Sequence, residues 1–465
     1  MPLADLWSAI RRPVLAESRA LLARNRAALP PALRTPHQML GRQGNGCGAT
    51  IGMMPRCDFA CRGCYLGEEA NRVPAASVEE VKAQMRALRP ILGPAGNLQL
   101  TDGEVTLRPV DEVIELLRYA RSLDLIPMLM THGDSFRRRP GLLERLAREG
   151  QLTEVSIHVD TTQRGRVGPW RDATTEAELN GLRAEFAQLL ADVRRTTGVR
   201  IRAATTMTVT PDNLGGVADV VRWLVANPSA FFMISFQPIA QVGRTVDGLG
   251  DSVDVEALWA EVARGVHGSA SADSVARLLA GQKWLGHPAC NRFVHGLVAR
   301  DTTTAEATFH PVRAHGDAID ERVVDGFLDR FGGVSFRRDS PGVVAARMAG
   351  MAMRAPGFVL RNLVPYARHW LGRLGNGRGA WRTATALASG TLRVDGLLFV
   401  SHHFMSRAQL ETPLGQERLA QCVFHVAVDG ALVSMCEVNA LGVREQYYAQ
   451  LTARRRAVPA HSPVS

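Results

Sequence analysis

Ala49-Thr50-Ile51-Gly52-Met53-Met54, followed by Cys57-Asp58-Phe59-Ala60-Cys61-Arg62-Gly63-Cys64-Tyr65, is the stretch on which the fold turns. The first six residues are an apolar run of strand length, and three cysteines follow it in a C-x3-C-x2-C spacing on one tight loop. Outward from there, short apolar runs recur at Leu98-Thr101, Pro127-Thr131, Glu154-Val159, Arg200-Thr208 and Phe231-Gln237, with a segment of helical period between each. Six strand-then-helix units in about 200 residues imply a parallel sheet, and their regular spacing suits a partial (β/α)6 TIM-like barrel in an α/β fold. The three cysteines then stand at the carboxyl-terminal mouth of that barrel.

Helical signals fill the gaps. Ser77 with Glu80 is a capping-box pattern opening a helix over Val78-Leu88, and Val110-Leu123 repeats apolar residues at helical spacing. Four segments result. Residues 1–45 read as helical, with Trp7, Ile10, Val14, Leu21 and Leu22 roughly on one face; 46–245 hold the barrel; 246–390 read as mainly helical with Gly- and Pro-containing breaks; and strand-like patterning returns in 391–465.

With 465 residues, 46% hydrophobic and 22% charged, the chain has ordinary globular composition and length enough for two or three units, which excludes general disorder. No run approaches the ~18 uninterrupted apolar residues of a membrane span, and Met1-Arg12 lacks a secretory pattern, so a cytoplasmic setting is expected. Seven cysteines in a reducing compartment argue for metal or redox chemistry over a disulfide framework. Net charge is +10, and Ser340-Arg393, which has eight arginines and no acidic residue, carries +8 of it. The remainder is nearly neutral, so no nucleic-acid partner is expected.

Three cysteines on an iron–sulfur cubane leave one iron free for a small-molecule ligand. Zinc, the competing reading, usually takes paired C-x2-C motifs or nearby histidines, and none follows here. On this spacing and position the chain resembles the radical S-adenosylmethionine (radical SAM) superfamily over roughly residues 45–245. The resemblance implies a [4Fe-4S] cluster on Cys57, Cys61 and Cys64 that chelates S-adenosylmethionine. An electron from a low-potential reductant such as flavodoxin or ferredoxin would cleave the cofactor to a 5′-deoxyadenosyl radical that abstracts hydrogen from carbon. It also implies cofactor contacts on the other strands. Thr101-Asp102-Gly103-Glu104 resembles the superfamily's Gly-Gly-Glu motif with Asp102 in place of the first glycine, so Glu104 or the local backbone at Gly103 would accept from the methionine ammonium. Thr131, in Thr131-His132-Gly133, closes the third strand; Ser156, His158 and Asp160 alternate on the fourth and are expected to share its inner face. Tyr65 is expected near the adenine or the cluster.

Four cysteines remain. Cys290 lies in Gly286-His287-Pro288-Ala289-Cys290, and Cys422 and Cys436 flank an expected hairpin. A three-residue loop, Val428-Asp429-Gly430, would set Cys422 directly opposite Cys436; a two-residue Asp-Gly loop would put them on opposite faces. A disulfide competes. His403-Phe404-Met405, Cys422-Val423-Phe424-His425, Cys436-Glu437-Val438-Asn439 and the Cys290 segment, with Phe236-Gln237-Pro238 and Gly243-Arg244, resemble the tetraether lipid synthase-like group. That group is associated with lipid C–C bond formation and, in part, pterin methylation. The resemblance implies a second [4Fe-4S] cluster on Cys290, Cys422, Cys436 and Cys47, the last equally readable as a buried thiol.

Arg347, Arg354, Arg361 and Arg368 recur every seven residues among Met, Phe, Leu and Trp, a slowly drifting helical stripe that Pro356 and Pro365 should divide. Such a segment suits peripheral docking on an anionic membrane surface, with Phe358, Leu363, Trp370 and Leu371 inserting. An internal helical layer is the alternative. The expected substrate is a lipid or lipid-like molecule; a pterin-like molecule or peptide is the alternative, and a noncatalytic iron–sulfur electron-transfer or assembly protein the reading from another class.

Overall fold

The computed structural model describes residues 3–27, 30–31, 34, 49–246, 249, 252–280, 282–283, 286–314, 316–334, 336 and 339–457. Six parallel strands form the centre: β1 (Ala49–Met54), β2 (Gly96–Asp102), β3 (Leu125–Thr131), β4 (Glu154–His158), β5 (Arg202–Val209) and β6 (Met233–Pro238). They pair in sequence order. Strands of such a sheet are buried on both faces, which is why they read as continuous apolar runs in place of an alternation. Ile51, Met53, Leu98, Leu100, Leu129, Val155, Ile157, Met207 and Ile234 are all inaccessible or nearly so. The helices between them close one side, and the expected capping box is present: Glu80 N–H donates to Ser77 Oγ at 3.2 Å, and Ser77 N–H to Glu80 Oε2 at 2.7 Å.

Six further strands follow: β7 (Gln282–Lys283), β8 (Asn291–Asp301), β9 (Ala307–Pro311), β10 (Leu392–His402), β11 (His425–Val428) and β12 (Ala431–Ser434). The sheet runs β12-β11-β1-β2-β3-β4-β5-β6-β10-β8-β7, with β9 on β8. Late chain therefore continues the barrel sheet at both ends, β10 parallel to β6 and β11 parallel to β1. Over 246–390 helices predominate, and β8 and β9, which the sequence reading did not place, stand among them. Eleven residues of β8 pair with β10 across the boundary placed at residue 391.

Of the two hairpin registers open on sequence, the two-residue loop is the one formed. His425 pairs with Ser434 and Val428 with Ala431, leaving a two-residue Asp429-Gly430 loop whose φ values are +45° and +82°. Positive φ at both positions is the turn that follows the twist of the strands, and Asp-Gly is the dipeptide that tolerates it.

The basic segment forms three helices, Pro341–Arg354, Pro356–Leu374 and Ala380–Ser389, the first two bent by 118° at Ala355, whereas Pro365, expected to divide the run, lies inside the second. Pro356 sits at the first position of its helix, where a missing N–H costs nothing. The bend breaks the seven-residue stripe. Arg347 pairs with Asp339 and donates to the carbonyl of Pro13, just past the N-terminal helix Leu3–Arg11, while Arg354 donates to the carbonyls of Ile10 and Arg11 at that helix's end. Trp370 is partly buried, stacked against the Arg373 guanidinium and packed on Leu374 and Leu392. Phe358 lies under Arg330. Leu363, of the expected inserting set, does face solvent, together with Leu360, Val364, Met353 and Trp381 and with Leu3 and Trp7 of the N-terminal helix. Trp7 is 60% exposed and does not join Leu21 and Leu22 in the core. Among the described residues no single helix is long and apolar enough to cross a membrane.

Candidate active site

The cysteine loop is held from two sides. Ala60 N–H donates to Arg164 O at 2.8 Å and Arg62 N–H to Thr162 O at 2.9 Å, fixing it to the segment after β4. On the other side His132 stacks on Phe59, with ring centroids 3.8 Å apart and planes at 3°. Asp134 N–H donates to His132 Nδ1, which leaves the proton on Nε2 to bridge to Asp58 Oδ1 at 2.8 Å. The hydrogen bond from His132, with Arg138 beyond it, drives the Asp58 pKa far below the usual carboxylate range. Asp58 thus stays ionised beside the loop.

Cys57, Cys61 and Cys64 face one cavity at the carboxyl ends of the strands. Burial pushes the Cys57 thiol up to about 12 and raises Cys61 and Cys64 as well. Such thiols are protonated until a cation joins them, so loading with iron must release protons. Phe59 N–H points at Cys57 Sγ at 3.4 Å, a donor suited to a thiolate. Three sulfurs on one cavity, no fourth cysteine on the loop and an Asp58 carboxylate already engaged by His132 and Arg138 fit a cluster with one exchangeable iron.

Of the residues expected to contact the cofactor, Tyr65, Gly103, Glu104, Thr131, Ser156 and His158 line this same cavity. Asp160 does not. β4 ends at His158, and Asp160 lies fully buried behind it, accepting from Thr162 N–H, Thr162 Oγ and Thr208 N–H, with Oδ2 2.6 Å from His158 Nε2. Burial alone would raise the Asp160 pKa, but His158 and these donors outweigh it and hold it at about 2. Asp160 is therefore a partner for His158 and not a wall of the cavity. Ser156 Oγ lies 2.9 Å from Thr206 Oγ1.

Glu104, 1% exposed, ties the ends of β2 and β3 together: Thr131 Oγ1 donates to Oε1 at 2.7 Å, Thr106 N–H to Oε1 at 3.1 Å and His132 N–H to Oε2 at 3.0 Å. To take a ligand's ammonium it must share an oxygen already in use. Gly103 N–H donates to Met54 O at 2.7 Å, and a Cβ there would fall 2.1 Å from Arg56 O, so only glycine fits this crossing of β1 and β2.

Sequence reasoning passed over a cluster just beneath. Asp102 has φ of +93°, and its carboxylate accepts from Arg444 and from Tyr448 Oη at 3.0 Å, both on the C-terminal helix Val443–Ala457. Tyr65 Oη donates to Asp102 O at 3.0 Å, and Arg444 lies over the Tyr65 ring at 4.8 Å. Gly52 of β1 leaves room for the Asp102 carboxylate. The substitution in the Gly-Gly-Glu-like motif thus has a partner 342 residues away, which no local pattern can signal.

Phe404, Phe424, Met435 and Asn439 also line the cavity, so its far wall comes from the late chain. Cys436 packs against Phe404 of that wall, and Cys422 is bonded to the backbone of Phe424. Cys436 is not opposite Cys422 in a ladder. Ser434 caps the helix Met435–Ala440, which puts Cys436 in its first turn, while Cys422 precedes β11. Cys290, just before β8, completes the group: it lies close enough to raise both Cys422 and Cys436, and Cys436 raises Cys422 in turn. Burial pushes Cys422 to about 12 and Cys436 to about 11. Phe424 N–H points at Cys422 Sγ at 3.4 Å, repeating the Phe59–Cys57 arrangement, and Arg418 Nε lies 3.4 Å from Cys290 Sγ. All six described cysteines are free thiols, so the disulfide alternative is not realised. Cys47 lies outside the described residues.

An open parallel α/β barrel bearing three cysteines on the loop after its first strand defines an iron–sulfur-dependent enzyme site. Residues 51–223 match the model of the Radical SAM superfamily, and this part of the chain is a radical SAM domain, taking a [4Fe-4S] cluster and S-adenosylmethionine. No curated protein matches the chain. Similar solved structures include Streptococcus suis SuiB bound to precursor peptide SuiA, at 14% identity and TM-score 0.34 over 48% of this chain and 45% of that one. The FeFe-hydrogenase maturase HydG from Carboxydothermus hydrogenoformans is 14% identical with TM-score 0.33, over 57% and 59%. Native anSMEcpe with bound AdoMet is 11% identical with TM-score 0.33, over 47% and 58%. The chain spans about half the length of the structures it matches.

Proposed function

We propose that this is a radical SAM enzyme working at an anionic membrane surface on a lipid or lipid-like substrate, with hydrogen abstraction from an sp3 carbon. Cys57, Cys61 and Cys64 ligate the cluster that activates the cofactor, and Cys290, Cys422 and Cys436 hold a second one. When bound, the cofactor pair supplies a carbon-centred radical capable of breaking an unactivated C–H bond. The chain's own part is positional. Glu104, Thr131 and the Gly103 backbone fix the strand ends under the cofactor, His158 faces the cavity with its Nε2 held against Asp160, and Phe404, Phe424 and Met435 offer an apolar wall suited to an alkyl chain. A low-potential reductant such as flavodoxin or ferredoxin delivers the electron.

The observation that carries the membrane reading is the exposed row Leu360, Leu363 and Val364 on a helix whose Arg361 and Arg368 are also exposed, with Trp381 and Arg382 beside it on the next helix. Large apolar side chains flanked by cations and free of acids favour the boundary of an anionic bilayer, each arginine being worth about 1 kcal/mol there. The test is flotation with phosphatidylglycerol vesicles at low salt. Wild-type protein is expected to float, and Arg361→Glu/Arg368→Glu/Arg382→Glu to stay behind with cofactor cleavage unchanged. Wild-type protein that ignores such vesicles removes the membrane reading, and lipid profiles unchanged by loss of the gene remove the substrate.

A further inference from the structure

A second polar cluster lies far along the chain from the barrel cysteines. Asp317 caps the short helix Ala318–Asp320 through Oδ1, which accepts from Ile319 N–H at 2.9 Å and Asp320 N–H at 3.0 Å. That arrangement leaves Oδ2 turned away from the backbone donors. Asp320, 0% exposed, uses its Oδ2 to accept from Ala314 N–H at 2.8 Å and Arg373 at 2.7 Å, and its Oδ1 has no hydrogen bond. His369 reaches in from the helix Pro356–Leu374. Its Nε2 is buried, 3.1 Å from Asp317 Oδ2 and 3.4 Å from Asp320 Oδ1, yet makes a hydrogen bond to neither. Two buried polar atoms without partners therefore meet a third, and all three ligand atoms lie within 4.8 Å of one another.

A buried carboxylate oxygen and imidazole nitrogen without well-directed hydrogen bonds are costly, and native structures usually satisfy such groups with a ligand or an ion. A divalent cation satisfies two oxygens and a nitrogen together, whereas a proton on Nε2, 3.1 Å from one oxygen and 3.4 Å from the other, reaches neither with hydrogen-bond geometry. Metal–ligand bonds of about 2.0–2.2 Å in a tetrahedron place ligand atoms roughly 3.3–3.6 Å apart, close to the spacing between Nε2 and the two oxygens here. Two carboxylates and one imidazole are hard-to-borderline ligands with no sulfur, a set suited to zinc, manganese or ferrous iron. The turn that presents Asp320 continues as a π-helix over Glu321–Asp325, a distortion common at functional sites.

We infer that Asp317, Asp320 and His369 form a binding site for a divalent transition-metal ion of the zinc type, separate from the iron–sulfur chemistry. The ion fastens the long helix that carries the exposed Leu360-Leu363-Val364 row to the turn after β9. With Arg373 one turn beyond His369 already pairing with Asp320, that helix is pinned at two successive turns.

Zinc tests it on the cluster-loaded enzyme. After incubation with zinc and gel filtration under anaerobic conditions, the wild-type chain is expected to retain about one zinc whose X-ray absorption shows nitrogen and oxygen neighbours at about 2.0–2.1 Å and no sulfur. Asp320→Asn and His369→Gln are expected to lose that zinc while their iron content, which reports an intact fold, stays unchanged. Failure of the wild type to retain zinc overturns the site. So does zinc bound through sulfur, or zinc kept equally by both variants. Should the variants fail to fold, the wild-type absorption spectrum decides alone, since thiolate ligation and N/O ligation differ in bond length.

Discussion

At the residue scale the decisive pair is Asp102 and Arg444. Both side chains are almost wholly buried, at 4% and 5% exposure, so each charge depends on the other for compensation. Breaking a buried pair by removing one partner typically costs about 3–5 kcal/mol, whereas replacing both with groups of matching shape costs much less. Arg444→Met is therefore expected to destabilise the chain by about 3–5 kcal/mol in urea unfolding, and Asp102→Gly/Arg444→Met to regain a good part of it. A double variant no better than the single one would show that the pair is not coupled. Acid acts at a different residue. The folded-state pKa of Asp160 is held at about 2, below its ordinary 3.8. A depressed carboxylate contributes stability above its unfolded pKa and loses it as pH falls through the folded one. Stability is expected to decline between about pH 4 and pH 2, and Asp160→Asn to flatten that decline; an identical acid limb in both proteins sinks the assignment.

At the scale of elements, the central strands were legible because a parallel strand buried on both faces is a bare apolar run. Predicted Ala49–Met54 is observed unchanged, and the other five differ by one to three residues at their ends. The run of β8 was missed because Gly296, His295 and two arginines interrupt it, and pairing with β10 and β9, not local pattern, makes it a strand. The cysteine groupings were legible in kind but not in geometry. Three on one loop need only spacing, while Cys290, Cys422 and Cys436 are assembled by a sheet edge and a helix cap. The proposed second cluster belongs to this scale. Replacing Cys57, Cys61 and Cys64 together by Ala is expected to abolish formation of 5′-deoxyadenosine and remove about four irons, while a second iron–sulfur absorption persists after anaerobic reconstitution. Retained cleavage, or loss of all iron–sulfur signal, contradicts the division into two sets. The Asp429-Gly430 turn gives a milder handle. Gly430→Val forces a β-branched residue to φ near +82°, at a cost of at least ~1–2 kcal/mol, and is expected to loosen the hairpin beside Cys422 and Cys436 and lower the iron of the second set alone.

For the whole molecule, the notable feature is that the barrel sheet does not end where the radical SAM domain does. β11 covers the outer edge of β1 and β10 that of β6, so all six central strands are paired on both sides only when residues 391–457 are in place. The C-terminal helix adds Arg444 and Tyr448 to the turn beneath the cofactor cavity, and Phe404, Phe424 and Met435 close its far wall. A stretch set apart by sequence as a region of its own is thus bound into the first one by main-chain pairing, a buried ion pair and a shared cavity. Exposed parallel edges are templates for association with other chains. A fragment of residues 46–245 is therefore expected to aggregate and to lack a cooperative unfolding transition. A chain shortened after residue 442 keeps β10 and β11 but loses Arg444 and Tyr448, leaving the Asp102 charge buried alone. It is expected to remain monomeric, to melt lower than the full chain and to cleave S-adenosylmethionine more slowly for the same iron content. A fragment 46–245 that folds cooperatively and stays monomeric would mean that the late strands decorate a self-sufficient barrel and do not complete it.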